Sequence, residues 1–360
     1  MKKFMAILLS AVLACCCGIV FAACSDEDGE SVDIYVPDGA PALALAQMMN
    51  EETQFESSLS GDSYSGVTYN VVSASAIQTY VAQGDDSTAD ICVLPCNAAA
   101  SVLGSGESYQ MLGAVTHGNV YWLSAKYYDT ELTTENLATE LSGKKIGCLQ
   151  LANIVGWMLK IVLSNANITY SVGSDPETDE VPEGEVYLYA ISDASSEITP
   201  AASYDYMIAA EPAVSSKVKA TSSNEEGKQL IRVGDMQELY GGEDGWVQAV
   251  IVAKNDLIEE EGVFITEFAS SLDTACEWVN AEDVDIETVC NAISGHLTGD
   301  DASSTFSTSN LTADVIARCA VEFEIASDCK DDLLSLLDAI VKIDSSTSFT
   351  VSDSFFYSAS

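Results

Sequence analysis

Short apolar runs alternate with stretches of helical pattern along most of this chain, and this alternation constrains the fold more than any other feature. The first unit combines a strand pattern over residues 32–36 with a helical pattern over residues 40–50, in which Pro41 suits the first helical turn. Strands that alternate with helices pair in parallel, because each helix returns the chain to the opposite end of the sheet. The sequence therefore predicts an α/β protein.

Similar units recur in two runs. We expect strands over residues 67–72, 89–94, 145–149, 186–190 and 206–209. We expect helices over residues 74–83, 97–103, 154–164, 258–279, 315–323 and 330–343, and a further helix opening at Glu211-Pro212. A strand pattern over residues 111–126 lies between the two runs, and another over residues 246–254 follows the second run. A chain that passes twice between two α/β lobes would have this order of elements.

The N-terminus has the layout of an export signal, because Lys2 and Lys3 precede an apolar run over residues 4–23. The residues before Cys24 resemble the bacterial lipobox, in which the cysteine is lipidated, although Phe21 stands where leucine is usual. Residues 1–23 are therefore expected to be removed. A retained transmembrane helix is the alternative, but the run is at the short end of the roughly 20 residues that span a bilayer.

A second lipidation site competes with the first. Cleavage before Cys15 would leave the apolar residues 16–23 on the mature chain, so the sequence favours Cys24. Residues 24–31 are then a short acidic tether between a lipid and the folded body. The expected location is the cell membrane, with the protein lipid-anchored on its extracellular or periplasmic face.

The charge of the chain excludes one class of partner. The sequence has 56 acidic and 14 basic residues, for a formal charge of −42, and its two arginines are Arg232 and Arg318. Nucleic-acid binding needs clusters of lysine and arginine, so the sequence excludes it. The apolar fraction of 48% is too high for a disordered acidic chain, so we expect a folded body with an acidic surface.

Seven cysteines remain after the signal is removed and Cys24 is lipidated. Their odd number and apolar neighbours are unlike a disulfide framework, and the C-x2-C spacing typical of zinc sites is absent. We therefore expect no metal site and mostly buried thiols, with a Cys319–Cys329 bridge as the first candidate exception. The seven residues are Cys92, Cys96, Cys148, Cys276, Cys290, Cys319 and Cys329.

The motifs of common enzymes are also missing. The sequence has no G-x-S-x-G elbow, no H-E-x-x-H pair and no Walker loop, and its two histidines, His117 and His296, are far apart. The sequence therefore predicts a protein without catalytic residues or cofactor.

Six segments between Val32 and roughly Val279 carry a more specific signal. They read VDIYVPDGAPALALAQMM, ADICVLPCNAAASVL, YQMLGAVTHGNVYWL, GKKIGCLQLANIVG, DYMIAAEPAVSSKVKAT and GDMQELYGGEDGWVQAVIVAK. In this order they resemble the solute-binding proteins of ABC importers in the nitrate, sulfonate, bicarbonate and thiamine-precursor group. The resemblance implies a type 2 periplasmic-binding-protein fold, in which two α/β lobes are joined by two crossover strands.

The same resemblance implies a function and a division of the chain. Residues 32–118 and 246–360 would form the first lobe, residues 119–245 the second, and residues 119–124 and 248–253 the crossovers. The protein would capture a small organic or oxyanion solute between the lobes and deliver it to an ABC permease in the membrane. A ligand-sensing clamshell domain is one alternative, and it would carry a fused transmembrane or signalling segment. A pyrimidine-precursor enzyme of related fold is another, and it would need histidine and cysteine chemistry in the cleft.

Ligands of open α/β sheets bind at the carboxyl ends of strands, where helix N-termini offer free N–H groups. Four such strand ends lead directly into predicted helices. Gly39 would allow a close approach to ligand or a turn with positive φ, and each asparagine would cap its helix or contact ligand. The predicted ligand-binding residues at these ends are Asp38, Gly39, Ala40, Asn97, Asn153 and Glu211.

Three further residues complete the predicted site. Thr116 and His117 lie at the presumed hinge, and Tyr240 lies near a lobe junction, where cleft linings are often aromatic. Burial as a satisfied core residue is the alternative for His117, and ordinary packing for Tyr240. Of the arginines, which bind oxyanions well, Arg232 alone falls in the relevant part of the chain. The sequence thus slightly favours an organic ligand held by aromatic stacking and backbone amides, with an anion at the helix N-termini as the alternative.

The lipobox interpretation predicts the effect of one substitution. Cys24→Ser removes the thiol that would carry the lipid, so we expect the variant to lose both a metabolically incorporated fatty-acid label and its place in the membrane fraction. Cys15→Ser serves as the matched control and should keep both. A Cys24→Ser protein that remains labelled would contradict the assignment.

Overall fold

The computed structural model describes residues 30–55, 64–225, 227–241, 245–299 and 303–358. The predicted signal peptide and the lipidation sites Cys15 and Cys24 lie outside these residues. In chain order the described strands are β1 (Glu30–Pro37), β2 (Tyr64–Val72), β3 (Ile91–Pro95), β4 (Tyr109–Thr116), β5 (Val120–Ser124), β6 (Lys144–Leu149), β7 (Thr169–Val172), β8 (Glu185–Ile191), β9 (Tyr206–Ala210), β10 (Ile231–Asp235), β11 (Ala249–Lys254) and β12 (Val321–Ile325).

Helices follow most of these strands. They are α1 (Ala40–Ala44), α2 (Ala46–Asn50), α3 (Cys96–Leu103), α4 (Leu137–Leu141), α5 (Ile154–Asn165), α6 (Ala194–Glu197), α7 (Ala213–Thr221), α8 (Met236–Tyr240), α9 (Asn255–Glu260), α10 (Gly262–Val279), α11 (Ile286–Gly295), α12 (Ala313–Ala317) and α13 (Ala326–Ile343). Among the described residues, no helix is both long enough and apolar enough to cross a membrane.

The strands form two six-stranded sheets. The first has the order β12-β4-β11-β3-β1-β2, and the second has the order β10-β5-β9-β6-β8-β7. In the first sheet β1 is parallel to β2 and β3, while β11 is antiparallel to both β3 and β4. In the second, β6 is parallel to β8 and β9, while β5 is antiparallel to β9 and β10. We call each sheet with the helices packed on it the first half and the second half.

The order of strands agrees with a chain that passes twice between two sheets. Leu94 and Ile146 fall in different sheets, as the sequence predicted. The expected crossovers over residues 119–124 and 248–253 correspond to β5 and β11, and each of these strands belongs to one sheet. The chain instead leaves the first sheet over residues 117–119 and returns to it between α8 and β11. That the two halves move as separate lobes, with the expected residue boundaries, stays a prediction.

The helix predicted over residues 74–83 is wrong. Two short 3-10 turns, Ile77–Tyr80 and Gly84–Asp86, occupy the segment instead. The Gln83 N–H donates to Ser87 Oγ at 2.9 Å, and the Ala89 N–H donates to the Tyr80 carbonyl. These bonds turn the chain back toward β3 within a few residues, and a serine side chain that competes for backbone groups favours such turns over an α-helix.

The helix predicted over residues 315–323 is also wrong in its second part. The α12 helix ends at Ala317, Ala320 takes a positive φ of 48°, and β12 follows as an edge strand beside β4. Pairing with β4 is a long-range contact that the local residue pattern does not encode. The helix predicted over residues 40–50 exists but is interrupted at Leu45, which divides it into α1 and α2.

Apolar side chains pack on both faces of the first sheet. Leu43, Ile265 and Val289 belong to a cluster on one face, formed with α1, α10 and α11. The other face belongs to a cluster that continues into the second half, where α13 contacts both β4 and α5. The two halves therefore share part of one hydrophobic core on the α13 side.

All seven cysteines of the described chain are buried and free, which confirms the expectation of buried thiols. The proposed Cys319–Cys329 bridge is wrong. Cys319 packs in the cluster that contains α1 and α10, whereas Cys329 packs in the cluster that contains α13 on the opposite face of the first sheet. Burial raises the pKa of Cys96 and Cys148 to about 12, so these thiols stay protonated and unreactive at neutral pH.

The pairing of β12 with β4 depends on a residue without a side chain. A Cβ added at Gly113 would lie 2.2 Å from the Glu324 carbonyl oxygen and 2.6 Å from the Phe323 ring. Because β12 would have to move, we expect Gly113→Ala to lower the free energy of unfolding by about 1–3 kcal/mol, measured by urea denaturation. Gly262→Ala is the control, since a Cβ at that helical position meets no atom within 4 Å. Equal losses in the two variants would contradict this role of Gly113.

Candidate functional site

Residues at the carboxyl ends of strands in both sheets line one cavity of about 350 Å³. Asp38 and Gly39 follow β1 of the first half, while Gln150 follows β6 and Glu211 follows β9 of the second. We call this space the cleft cavity. Its lining residues are Asp38, Gly39, Leu149, Gln150, Val155, Ala210, Glu211, Pro212, Ala213, Ser216, Thr305 and Asn310.

The first wall of the cleft cavity is built on Asp38. Its Oδ2 atom accepts hydrogen bonds from the Thr305 N–H at 2.7 Å and from the Thr305 hydroxyl. Its Oδ1 atom is buried and makes no hydrogen bond to the described residues. Burial raises the pKa of the Asp38 carboxyl, while the bonds from Thr305 oppose that rise. A solute that donates a hydrogen bond to Oδ1 would satisfy the buried acceptor.

Gly39 leaves open space in this wall. It has a φ of 120°, and a Cβ built on it would meet no atom within 4 Å. The expectation of a positive φ at this residue is confirmed. Ala40, which begins α1, is buried and does not belong to the lining. The backbone at Gly39 thus lies beside empty space in the cleft cavity, as close approach to a ligand requires.

The second wall contains an ion pair between the halves. The Arg318 Nε–H donates to Glu211 Oε1 at 2.7 Å, and the Glu211 side chain has no exposed surface. Glu211 also accepts from the Ser215 N–H at 3.0 Å and from the Ser215 hydroxyl at 2.7 Å, and Arg318 Nη2 donates to Ser215 Oγ at 2.8 Å. The Tyr121 hydroxyl donates to the Arg318 carbonyl at 3.1 Å. Glu211 therefore joins the halves to each other.

Sequence reasoning missed Arg318. It named Arg232 as the arginine near the site, because Arg318 lies in the C-terminal part of the chain, beyond the second run of βα units. The residue stands directly after α12, a short helix of the first half, and reaches Glu211 across 107 positions of sequence. A buried glutamate implies a cationic partner, but no local pattern indicates which of the basic residues that partner is.

The two asparagines behave differently. Asn153 stands at the N-cap position of α5, but its exposed side chain makes no capping hydrogen bond. Asn97 lies inside α3 after the N-cap residue Pro95, and its Oδ1 atom is buried without a hydrogen-bond partner among the described residues. Neither belongs to the lining of the cleft cavity. The expected capping bonds are therefore absent, and ligand contact by Asn97 and Asn153 stays a prediction.

His117 and Tyr240 meet elsewhere, in a cavity of about 580 Å³ between α5, α8 and α13. Nδ1 of His117 lies 3.8 Å from Glu324 Oε2, and the Tyr240 ring packs edge-on against Trp246 with 5.9 Å between ring centroids. Thr116 ends β4 with no exposed surface. Of the nine predicted residues, the structure brings Asp38, Gly39 and Glu211 together in the cleft cavity.

Among the described residues, no group of histidine, cysteine and carboxylate side chains is arranged to hold a metal ion. Neither histidine nor cysteine is among the described residues that line the cleft cavity. The described lining residues offer the free Oδ1 oxygen of Asp38, the amides of Gln150 and Asn310, and the hydroxyls of Ser216 and Thr305. Such a set can hold a small molecule by hydrogen bonds.

No protein-family model and no curated protein matches the chain, but solved structures match most of its length. One is an ABC transporter structure from Parabacteroides distasonis, with a TM-score of 0.65, 17% identity and coverage of 92% of this chain and 99% of that one. The periplasmic aliphatic sulphonate binding protein SsuA from Escherichia coli matches with a TM-score of 0.60 and 11% identity, and the match covers 92% of this chain and 94% of that one. The alkanesulfonate-binding protein SsuA from Xanthomonas axonopodis pv. citri, bound to MOPS, matches with a TM-score of 0.53 and 12% identity, and the match covers 88% of this chain and 94% of that one.

The chain has the fold of periplasmic solute-binding proteins. This confirms the fold class that the six sequence segments implied, with two mixed α/β sheets of six strands each. At identities below 20% the likeness is one of fold. The solute must therefore be argued from the residues that line the cleft cavity of this chain.

The ion pair predicts a large effect on stability. Arg318→Gln leaves the buried Glu211 carboxylate without its cation, so we expect the free energy of unfolding to fall by about 3 kcal/mol. Lys228→Gln is the control for charge, because it breaks an exposed pair with Glu225 and should cost at most about 1 kcal/mol. Urea denaturation at pH 7 compares the variants. A loss in Arg318→Gln no larger than in Lys228→Gln would show that the pair is not important for stability.

Proposed function

We propose that this protein is the extracytoplasmic solute-binding component of an ABC importer. It binds a small molecule in the cleft cavity and presents the closed form to a membrane permease. The observation that carries the proposal is a cavity lined at strand ends by both halves, with the unpaired Asp38 Oδ1 on one side and Gln150 on the other. Likeness in fold to sulphonate-binding proteins supports it.

Both halves contribute residues to the lining of the cleft cavity, and a bound solute would therefore bring the halves together. Asp38, Gly39, Thr305 and Asn310 belong to the first half, and the other lining residues belong to the second. A solute that contacts both sets gains all of its interactions only when the halves are together, so binding shifts the population toward the closed form. The two short passages of chain between the sheets would act as the hinge.

The lining favours a particular kind of solute. The part of the lining that the structure describes contains no lysine or arginine, and the Glu211 carboxylate is already neutralised by Arg318. Asp38 contributes a carboxylate, and Gln150 and Asn310 contribute amides. A neutral or cationic organic molecule that donates hydrogen bonds fits this set better than a sulfonate or nitrate, because an oxyanion would face Asp38 without a compensating cation.

The aromatic part of the sequence-based interpretation does not apply to this cavity. Its lining residues include no tryptophan, tyrosine or phenylalanine, and Tyr240 lies with Trp246 at the other cavity. The proposed role is binding without chemistry, since the cleft cavity has no histidine or cysteine to move a proton or attack a substrate. This feature favours a binding protein over an enzyme of related fold.

Partners and location complete the proposal. The acidic surface suits contact with basic loops of a permease, and lipidation at Cys24 would keep the protein beside that permease in the membrane. The tether over residues 24–31 would allow the folded body to reach its partner.

A thermal-shift screen with a filled-cleft variant tests the proposal. The panel includes amines and pyrimidine compounds beside taurine, alkanesulfonates, nitrate and bicarbonate, and we expect a hydrogen-bond-donating organic compound to raise the melting temperature. At a hundredfold excess over Kd a ligand stabilises the native state by about 2.7 kcal/mol. Ser216→Trp fills part of the cleft cavity and should abolish the shift, whereas Ala220→Trp, exposed at the far end of α7, should keep it.

X-ray scattering supplies the second measurement. The compound that stabilises the protein should also reduce the radius of gyration, because it closes the halves. If Ser216→Trp binds that compound as well as the unaltered protein does, the solute site is elsewhere and the proposal fails.

A further inference from the structure

A second cavity between the halves has an unusual charge for this chain. It measures about 430 Å³, and its lining comes from α7 and β10 of the second half and from residues 310–318 of the first. Lys219, Arg232 and Arg318 belong to the lining, and no aspartate or glutamate of the described part of the chain does. A chain with 56 acidic and 14 basic residues thus places both of its arginines and a lysine around one cavity. We call this space the basic cavity.

Each cation is held in place by a different contact. The Arg232 guanidinium lies over the Tyr121 ring, 5.3 Å from its centroid, and the Arg232 side chain is exposed. The Lys219 ammonium donates a hydrogen bond across the halves to the Ser309 carbonyl. Arg318 is fixed by Glu211 and Ser215. Stacking on an aromatic ring leaves the edge of a guanidinium available for hydrogen bonds, so Arg232 keeps donors for a ligand.

The charges around the basic cavity are only partly balanced. Glu211 neutralises Arg318 directly, whereas the described partner of Lys219 is a neutral carbonyl oxygen and that of Arg232 is an aromatic ring. The Asp235 carboxylate, at the end of β10, is the acidic group that interacts with Arg232 at longer range. Like charges that are held close together repel, and a bound anion relieves this repulsion.

We propose that the basic cavity binds an oxyanion, such as a phosphate, sulfate or sulfonate group. Lys219 and Arg232 would supply the charge from the second half. The Thr312 hydroxyl, whose oxygen accepts from the Val315 N–H, would supply a donor from the first half. Guanidinium and ammonium groups bind tetrahedral oxyanions through short charge-assisted hydrogen bonds.

Binding at this position would have a consequence for closure. The lining comes from both halves, so an anion that contacts both is held best when they are together. The basic cavity differs from the cleft cavity in charge and shares only Asn310 with it. The proposal therefore does not depend on the identity of the solute in the cleft cavity, and the protein would respond to an anion as well as to its solute.

Calorimetric titration of the purified protein with inorganic phosphate and inorganic sulfate tests the proposal at constant ionic strength. We expect saturable binding that weakens by about tenfold in Lys219→Gln and in Arg232→Gln, because each variant loses one charge-assisted hydrogen bond. Both side chains are exposed, so the variants should keep the melting temperature of the unaltered protein. Lys228→Gln makes the same change in net charge at an exposed lysine of the second half and should alter the affinity less than twofold.

Three results would overturn the proposal. Equal weakening in Lys228→Gln would show that phosphate responds only to net charge, and an absence of saturable binding in the unaltered protein would show that the cavity takes no free oxyanion. Ser216→Trp separates the two sites, because it fills the cleft cavity and should leave phosphate affinity unchanged. If Ser216→Trp abolishes phosphate binding, the anion binds in the cleft cavity, and the separate site is wrong.

Discussion

The chain passes between its two sheets only twice in the described structure, and side-chain amides connect the chain at these two passages. The passages lie side by side. Gln237 Oε1 accepts from the Asn119 N–H at 3.2 Å and the Val120 N–H at 2.9 Å, and Gln248 Nε2 donates to Asn119 Oδ1 at 2.8 Å. The first passage, residues 117–119, turns at Gly118, which has a φ of 107°. A Cβ at this residue would lie only 2.6 Å from Cγ of Gln237, so the turn needs glycine. Two adjacent passages would give the halves an axis for the proposed closure.

Charge is distributed unevenly between the two cavities. The cleft cavity presents Asp38 and neutral polar groups, whereas the basic cavity presents Lys219 and Arg232, and the pair of Glu211 with Arg318 lies at both. A buried pair is costly to desolvate, so its value depends on complete hydrogen bonding, which Ser215 supplies here. The pair thus separates a region suited to hydrogen-bond donors from a region suited to anions.

Much of the fold was predictable because its strands are short apolar runs with helices directly after them. The strand that contains Leu94 and the helix that begins at Ile154 are examples in which the local pattern was sufficient. Two predicted helices were wrong, each for a different reason. Residues 74–83 form 3-10 turns because the Ser87 side chain binds the backbone, and β12 forms because β4 offers an unpaired edge to Val321. Neither cause is visible in local periodicity.

The sequence by itself determined the α/β class and the strand ends at which Asp38 and Glu211 lie, and it supplied the expectation that nucleic acid is not a partner, because local apolar periodicity and net charge do not depend on the final packing. Only the tertiary structure decided which of those strand ends share a cavity, since this depends on how two sheets are oriented across the passages. It also brought Arg318 to Glu211, and Arg232 to the same side as Lys219, over separations that leave no trace in local sequence. The Glu211 carboxylate is buried, so its pairing with Arg318 is set by the cost of burying a charge unpaired, and that cost exists only once the halves meet.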